Sequence, residues 1–125
     1  MHIDKDLVAA SATPLVLGIL ADGESYGYAI VKRVHELSGG RMQWTDGMLY
    51  PLLHRLERLG LVEATWGVSD VGRRRKHYAI TPAGRAALVE RQEQWAVVAD
   101  ALRQVWDATV AAPVRPSART AQGLA

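Results

Sequence analysis

Arg73-Arg74-Arg75-Lys76 is the densest run of charge in the chain, and its guanidinium and ammonium groups are the chemistry that holds phosphate oxygens. The chain carries 15 Lys and Arg against 13 Asp and Glu, a net charge of +2. These four contribute +4 and the remainder therefore sums to −2, so any nucleic-acid site is a local concentration of charge. A second set of polar groups falls between residues 45 and 58, where Thr45, Gly47, Met48, Tyr50, Pro51, His54, Arg55 and Arg58 recur at intervals that place them off an apolar stripe. A third set is aromatic and apolar: Trp95 is followed by Val98, Ala99, Leu102 and Val105 or Trp106 at the a/d spacing of paired helices. Catalytic chemistry has no comparable support. His2, His35, His54 and His77 lack metal-ligand spacing, and neither a Ser/His/Asp arrangement nor a phosphate-cradling glycine loop is present. His35 reads as a helix-surface residue. No enzyme, metal or cofactor is expected.

The elements that position these groups belong to one domain. A chain of 125 residues, 49% hydrophobic and 22% charged, can bury a single modest core. The lack of cysteine removes disulfides and thiolate sites and fits a reducing cytoplasm. The longest apolar run, Leu15 to Ala21, is far short of the roughly 20 residues that span a bilayer, and Met1 to Asp6 carries acids where a signal peptide carries bases. A cytoplasmic protein with no membrane partner is expected.

Residues Leu7 to Leu20 read as a first helix buried on more than one side, ended by Ala21-Asp22-Gly23. Pro14 either kinks it or opens its second half, with Ser11 or Thr13 as the cap. A second helix runs from about Ser25 to Leu37, where Tyr28, Ile30, Val31, Val34 and Leu37 recur at helical spacing before Ser38-Gly39-Gly40. A third, capped by Thr45 or Asp46, runs to Arg58 or Leu59, with Gly60 closing it. Its core stripe is Leu49, Leu52, Leu53, Leu56 and Leu59; the opposite face carries Gly47, Tyr50, Pro51, His54 and Arg58, with Met48 and Arg55 on one flank. Pro51, near the first turn, costs the helix little.

Leu61 to Trp66 reads as a strand, Gly67 to Arg75 as a loop and Lys76 to Ile80 as the return strand, a two-stranded hairpin with a long basic tip. Trp66 is expected to pack. Thr81-Pro82 then opens a last helix that continues to about Ala111, too long for a small domain to cover alone. Three helices and a hairpin give an α+β, mainly α fold: a winged helix-turn-helix region over 1–81, a dimerisation helix over 82–111 packing with the N-terminal helix, and a flexible tail over 112–125.

The stretches Ser25-Tyr26-Gly27-Tyr28, Gly47-Met48-Leu49-Tyr50-Pro51-Leu52-Leu53, Arg55-Leu56-Glu57, Gly60-Leu61-Val62 and Arg74 to Gly84 resemble the PadR family of transcriptional regulators over about residues 7–110. The ordered pair of an LYPLL helix and an RRKHYAITPAG exit from the wing is the most specific part. The resemblance is to the compact branch that includes multidrug-responsive repressors. It implies a homodimer that binds palindromic double-stranded operators, usually as a repressor, and it carries over Tyr50 as a helix-three residue. It also implies that the two symmetry-related rings at Trp95 can stack on a flat aromatic effector, with Val98, Ala99 and Leu102 beside them and Leu7, Ala10, Ser11 and Pro14 as the opposite wall. Ala99 stands where the drug-binding pattern has an acid, with Asp100 next to it.

Each residue keeps a plainer reading beside the functional one. Tyr50 meets DNA through its hydroxyl or supports the core with its ring. Gly47 admits a phosphate to the helix start or is a turn residue. Thr45 caps and touches phosphate, while His54 and Arg58 contact the backbone or are solvated. Met48, Pro51 and Arg55 complete the DNA-facing set. In the wing, Arg73, Arg74, Arg75 and Lys76 are phosphate or minor-groove ligands, although strand alternation should point some of them away. The Trp95 seam is dimer packing or an effector site. A ligand-responsive, DNA-binding repressor is the expected function; a winged-helix protein-interaction module and a small-molecule carrier are the alternatives.

Overall fold

The structure is a computed structural model that describes residues 1–111; the stretch 112–125, expected to be a tail, lies outside the described residues. The elements run α1 (Lys5–Ala21), β1 (Ser25–Tyr26), α2 (Gly27–Leu37), α3 (Asp46–Arg58), β2 (Val62–Val68), β3 (Arg74–Ile80) and α4 (Pro82–Ala111). Contacts divide the chain into a unit spanning Met1–Gln92 and a second beginning at Glu93.

The first unit closes on apolar residues that the helical and strand periods bring to one side. Val16, Leu17 and Leu20 of α1, Ile30 and Val34 of α2, Leu49, Leu53 and Leu56 of α3, and Val62 and Tyr78 of the sheet are all buried. Trp44, in the link before α3, joins this core, and Ala87 and Leu88 of α4 pack against it. Among the described residues no helix is long and apolar enough to cross a membrane.

Four sequence expectations are corrected. The cap of α1 is Asp4, whose carboxylate accepts from the Asp6 amide at 2.8 Å, so the helix starts before Ser11 and Thr13 and passes through Pro14. The carbonyl that loses its partner to Pro14 belongs to the exposed Ala10, where water can satisfy it. The start of the second helical segment, Ser25-Tyr26, is instead a short strand that pairs with Tyr78 and His77, so the sheet has three strands in the order β1-β3-β2. The hairpin strands are longer and the tip shorter than expected: Val68 pairs with Arg74, and only residues 69–73 form the turn. Trp66 does not pack into the core; it is 60% exposed.

Thr45 is the cap of α3, its hydroxyl accepting from the Met48 amide at 3.3 Å. Thr81 caps α4 in the same way, accepting from the Gly84 amide at 3.0 Å while donating to the Gly60 carbonyl at 2.6 Å. One hydroxyl thereby fixes the first turn of α4 to the turn that follows α3. Gly84 completes the join, because a Cβ there would overlap the carbonyl oxygen of Leu61 and lie 2.7 Å from Ile80 Cγ1.

Candidate nucleic-acid interface

α3 is amphipathic, and burial of its leucines leaves a bare opposite side on which Gly47, Tyr50, Pro51, His54, Arg55 and Arg58 are exposed, with Thr45 exposed at its start. Met48 departs from this set: it is half-buried and packs against the core. Tyr50 divides its roles, remaining 37% exposed while its hydroxyl and ring edge rest against Gly27, where a Cβ would overlap the hydroxyl and stand 2.7 Å from Cζ. This contact explains why the two helix motifs occur together: the glycine in the SYGY stretch is the seat for the tyrosine of the LYPLL stretch. At Gly47, by contrast, a Cβ would meet nothing closer than the Thr45 hydroxyl at 3.8 Å. Among the described residues no packing requires a glycine there. Asp46, exposed in the first turn of α3, sets a carboxylate beside that helix start and disfavours a phosphate directly on it.

The basic run does not form one patch. β2 and β3 pair with Trp66 opposite Lys76 and Gly67 opposite Arg75, and side chains opposite one another in an antiparallel pair share a face. Trp66, Arg74, Lys76 and Tyr78 therefore lie on one face, and Arg75 and His77 on the other. The first face looks toward α3, because Lys76 Nζ lies 3.7 Å from Glu57 Oε1 of that helix. There Arg74 stacks over the Trp66 ring with Cζ 4.5 Å from the centroid. On the other face Arg75 sits 3.8 Å above the Tyr26 ring, and His77 lies 5.5 Å from that ring and 3.6 Å from a Glu24 carboxylate oxygen. The turn is tied by Ser69, whose amide donates to the Arg73 carbonyl at 2.8 Å and whose hydroxyl accepts from the Arg73 amide at 3.1 Å. The Arg73 side chain is exposed at the end of this turn.

Trp66, Tyr26 and Glu57 were not singled out from sequence as partners of the cations. Their signal is the register, which becomes readable only once the strands extend to Val68 and from Arg74. Tyr78, buried beneath Lys76, has its phenol pushed above its ordinary value of 10.0 by burial, with the Lys76 charge opposing the shift.

The residues expected to line an effector site fall on two elements. On α1, Leu7 and Ala10 are exposed; Ser11 is half-buried and donates to the Val8 carbonyl at 3.1 Å; Pro14 is half-buried and lines a groove with Gly18 and Ala29. In the second unit Trp95 and Ala99 are half-buried, whereas Val98, Leu102, Val105 and Trp106 are exposed along the same side of α4.

The family model described as "Transcriptional regulator PadR-like family" matches residues 16–90. The chain is 45% identical over 75 residues, 60% of its length and 66% of the relative's, to the transcriptional regulator Rv3488 of Mycobacterium tuberculosis. A PadR family transcriptional regulator from Eggerthella lenta superposes with a TM-score of 0.71 at 32% identity, covering 81% of this chain and 86% of that one. A transcriptional regulator from Clostridium thermocellum gives 0.74 at 26% identity, covering 82% and 96%. The family match over residues 16–90 takes in α2, α3, the wing and the Thr81–Gly84 join, and the chain belongs to the PadR-like family of transcriptional regulators, which act by binding DNA.

Proposed function

We propose that the protein is a cytoplasmic, homodimeric repressor that reads a palindromic operator with α3 and is released by a small planar aromatic effector. The observation that carries this reading is the pairing of surfaces: the bare side of α3 and the Trp66–Arg74 face of the hairpin are tied by Lys76 and Glu57, so helix and wing form one continuous DNA-facing surface. On it, Thr45, Gly47, Tyr50, Pro51, His54, Arg55 and Arg58 approach the groove, with Met48 supporting them from beneath; Arg73 and Arg74 supply the charge beside it, while Lys76 is tied to Glu57 and Arg75 lies on the opposite hairpin face.

The apolar stripe of α4 supports dimerisation. Leu102 is 40%, Val105 64% and Trp106 57% exposed, surface that a single chain leaves in water and a paired helix covers. Trp95, Val98, Ala99 and Leu102 of α4 are the residues proposed to meet the effector. A ligand that binds better to a dimer geometry unsuited to the operator lowers DNA occupancy through that difference in affinity.

Selection of binding sites from genomic fragments tests this reading. An inverted repeat with two equivalently protected half-sites is expected, lost or strongly weakened in an Arg73→Ala, Arg74→Ala variant. A folded protein that enriches no sequence, or protects one asymmetric site, overturns it. For the effector, a ligand that quenches tryptophan fluorescence in wild type but not in Trp95→Phe, without lowering operator affinity at saturation, refutes release.

A further inference from the structure

We propose that Trp66 is a positioning residue for DNA binding, its indole holding the Arg74 guanidinium ready for a backbone phosphate. This rests on the DNA-binding reading above and adds which cation of the run is presented and what holds it.

Four observations carry it. Arg74 and Trp66 share the hairpin face that Lys76 ties to α3, whereas Arg75 lies on the opposite face against Tyr26. The guanidinium lies 4.5 Å from the indole centroid, within the range of a cation–π contact. Among the described residues, no carboxylate pairs with Arg74, while Lys76 is paired with Glu57. The Ser69 hydrogen bonds close the turn beyond the stack, so the platform is held on a tied hairpin.

The kind of partner decides the outcome. A carboxylate holds a cation by neutralising it and competes with phosphate for its donors. An aromatic face holds it without removing the charge and leaves the N–H groups at the guanidinium edge free. A free arginine loses rotamer freedom when a phosphate fixes it; one already lying on an indole loses less. A tryptophan that is 60% exposed on a strand contributes little to the core, so its size is accounted for by what it supports.

The test measures binding by fluorescence anisotropy over a range of KCl, using the wild-type-selected fragment and a mixed-sequence duplex. Arg74→Ala should weaken binding and lower the slope of log K against log salt by about 1. Trp66→Ala should weaken it by about 2- to 5-fold, the effect of one exposed cation–π contact, and Trp66→Phe should recover most of the loss. In the Arg74→Ala background, Trp66→Ala should cost nothing further. Trp66→Leu, which keeps an apolar strand residue without a π face, replaces the alanine variant if thermal unfolding shows the hairpin disturbed. An undiminished loss in the Arg74→Ala background overturns the inference, since the indole then acts on DNA or on the fold directly. An Arg74→Ala protein with wild-type affinity and slope overturns it as well. Wild-type protein that binds neither duplex overturns the DNA-binding reading itself, and this inference with it.

Discussion

Gly84→Ala is the substitution whose cost follows most directly from the geometry. The added Cβ would overlap the Leu61 carbonyl oxygen and stand 3.0 Å from its carbon and 2.7 Å from Ile80 Cγ1. The isoleucine end can move, but the carbonyl is main chain and accepts from the Thr81 amide at 3.1 Å, so it is held in place. Overpacking of this kind costs about 1–3 kcal/mol. If α4 shifts away instead, the Thr81 cap is lost at about 1 kcal/mol. The better helix propensity of alanine offsets at most about 1 kcal/mol. A net destabilisation of about 1 kcal/mol remains, a fall in Tm of about 4–8 °C for a domain of this size. Thermal unfolding followed by circular dichroism at fixed protein concentration measures it. A variant with unchanged or higher Tm refutes the argument that α4 is seated against the turn after α3 by this missing side chain.

Gly27→Ala should displace Tyr50 from its seat; the exposed ring can swing aside, so the cost in urea unfolding should stay below about 1 kcal/mol while operator binding in anisotropy weakens, and intact binding counts against the coupling of the two motifs. Tyr78→Phe tests the buried phenol. Burial raises its folded pKa above 10.0, so its contribution to stability is fully present below pH 10 and is lost as pH rises through the folded value. Wild type should therefore lose stability above about pH 10 more steeply than Tyr78→Phe, as read from Tm against pH. At neutral pH the phenylalanine variant should lie within about 1 kcal/mol of wild type, because among the described residues the Tyr78 hydroxyl makes no hydrogen bond of ordinary geometry and only the Lys76 ammonium is near it.

The long-period features of the fold were legible in the sequence because one local rule governed each. The stripe of Leu49, Leu52, Leu53, Leu56 and Leu59 marked α3, although Leu59 caps the helix end and is 62% exposed instead of joining the core; Thr45 marked the start of α3 and Thr81-Pro82 the start of α4. What escaped was set by distant residues. Ser25-Tyr26 forms a strand only because Tyr78 and His77 are brought alongside, and two residues have no period of their own. The α1 cap escaped because Pro14 drew the expected boundary inward, whereas a helix with a solvated carbonyl at the break continues through it.

The same distinction governs the site. The face of α3 followed from the helical period: its expected residues are exposed apart from Met48, while the exposed carboxylates Asp46 and Glu57 were not among them. The four cations read in sequence as a single charged tip, yet a strand sends alternate side chains to opposite faces, and the register decides which neighbours they meet. Once β3 begins at Arg74, Arg75 falls beside Tyr26 and Lys76 beside Glu57. Net charge thus overstates the number of cations presented beside α3. Among the described residues, Arg74 on its indole and Arg73 at the turn are the two of the run that neither pair with a carboxylate nor lie on the opposite hairpin face, so the wing's share of the salt dependence of DNA binding should approach two phosphates, not four.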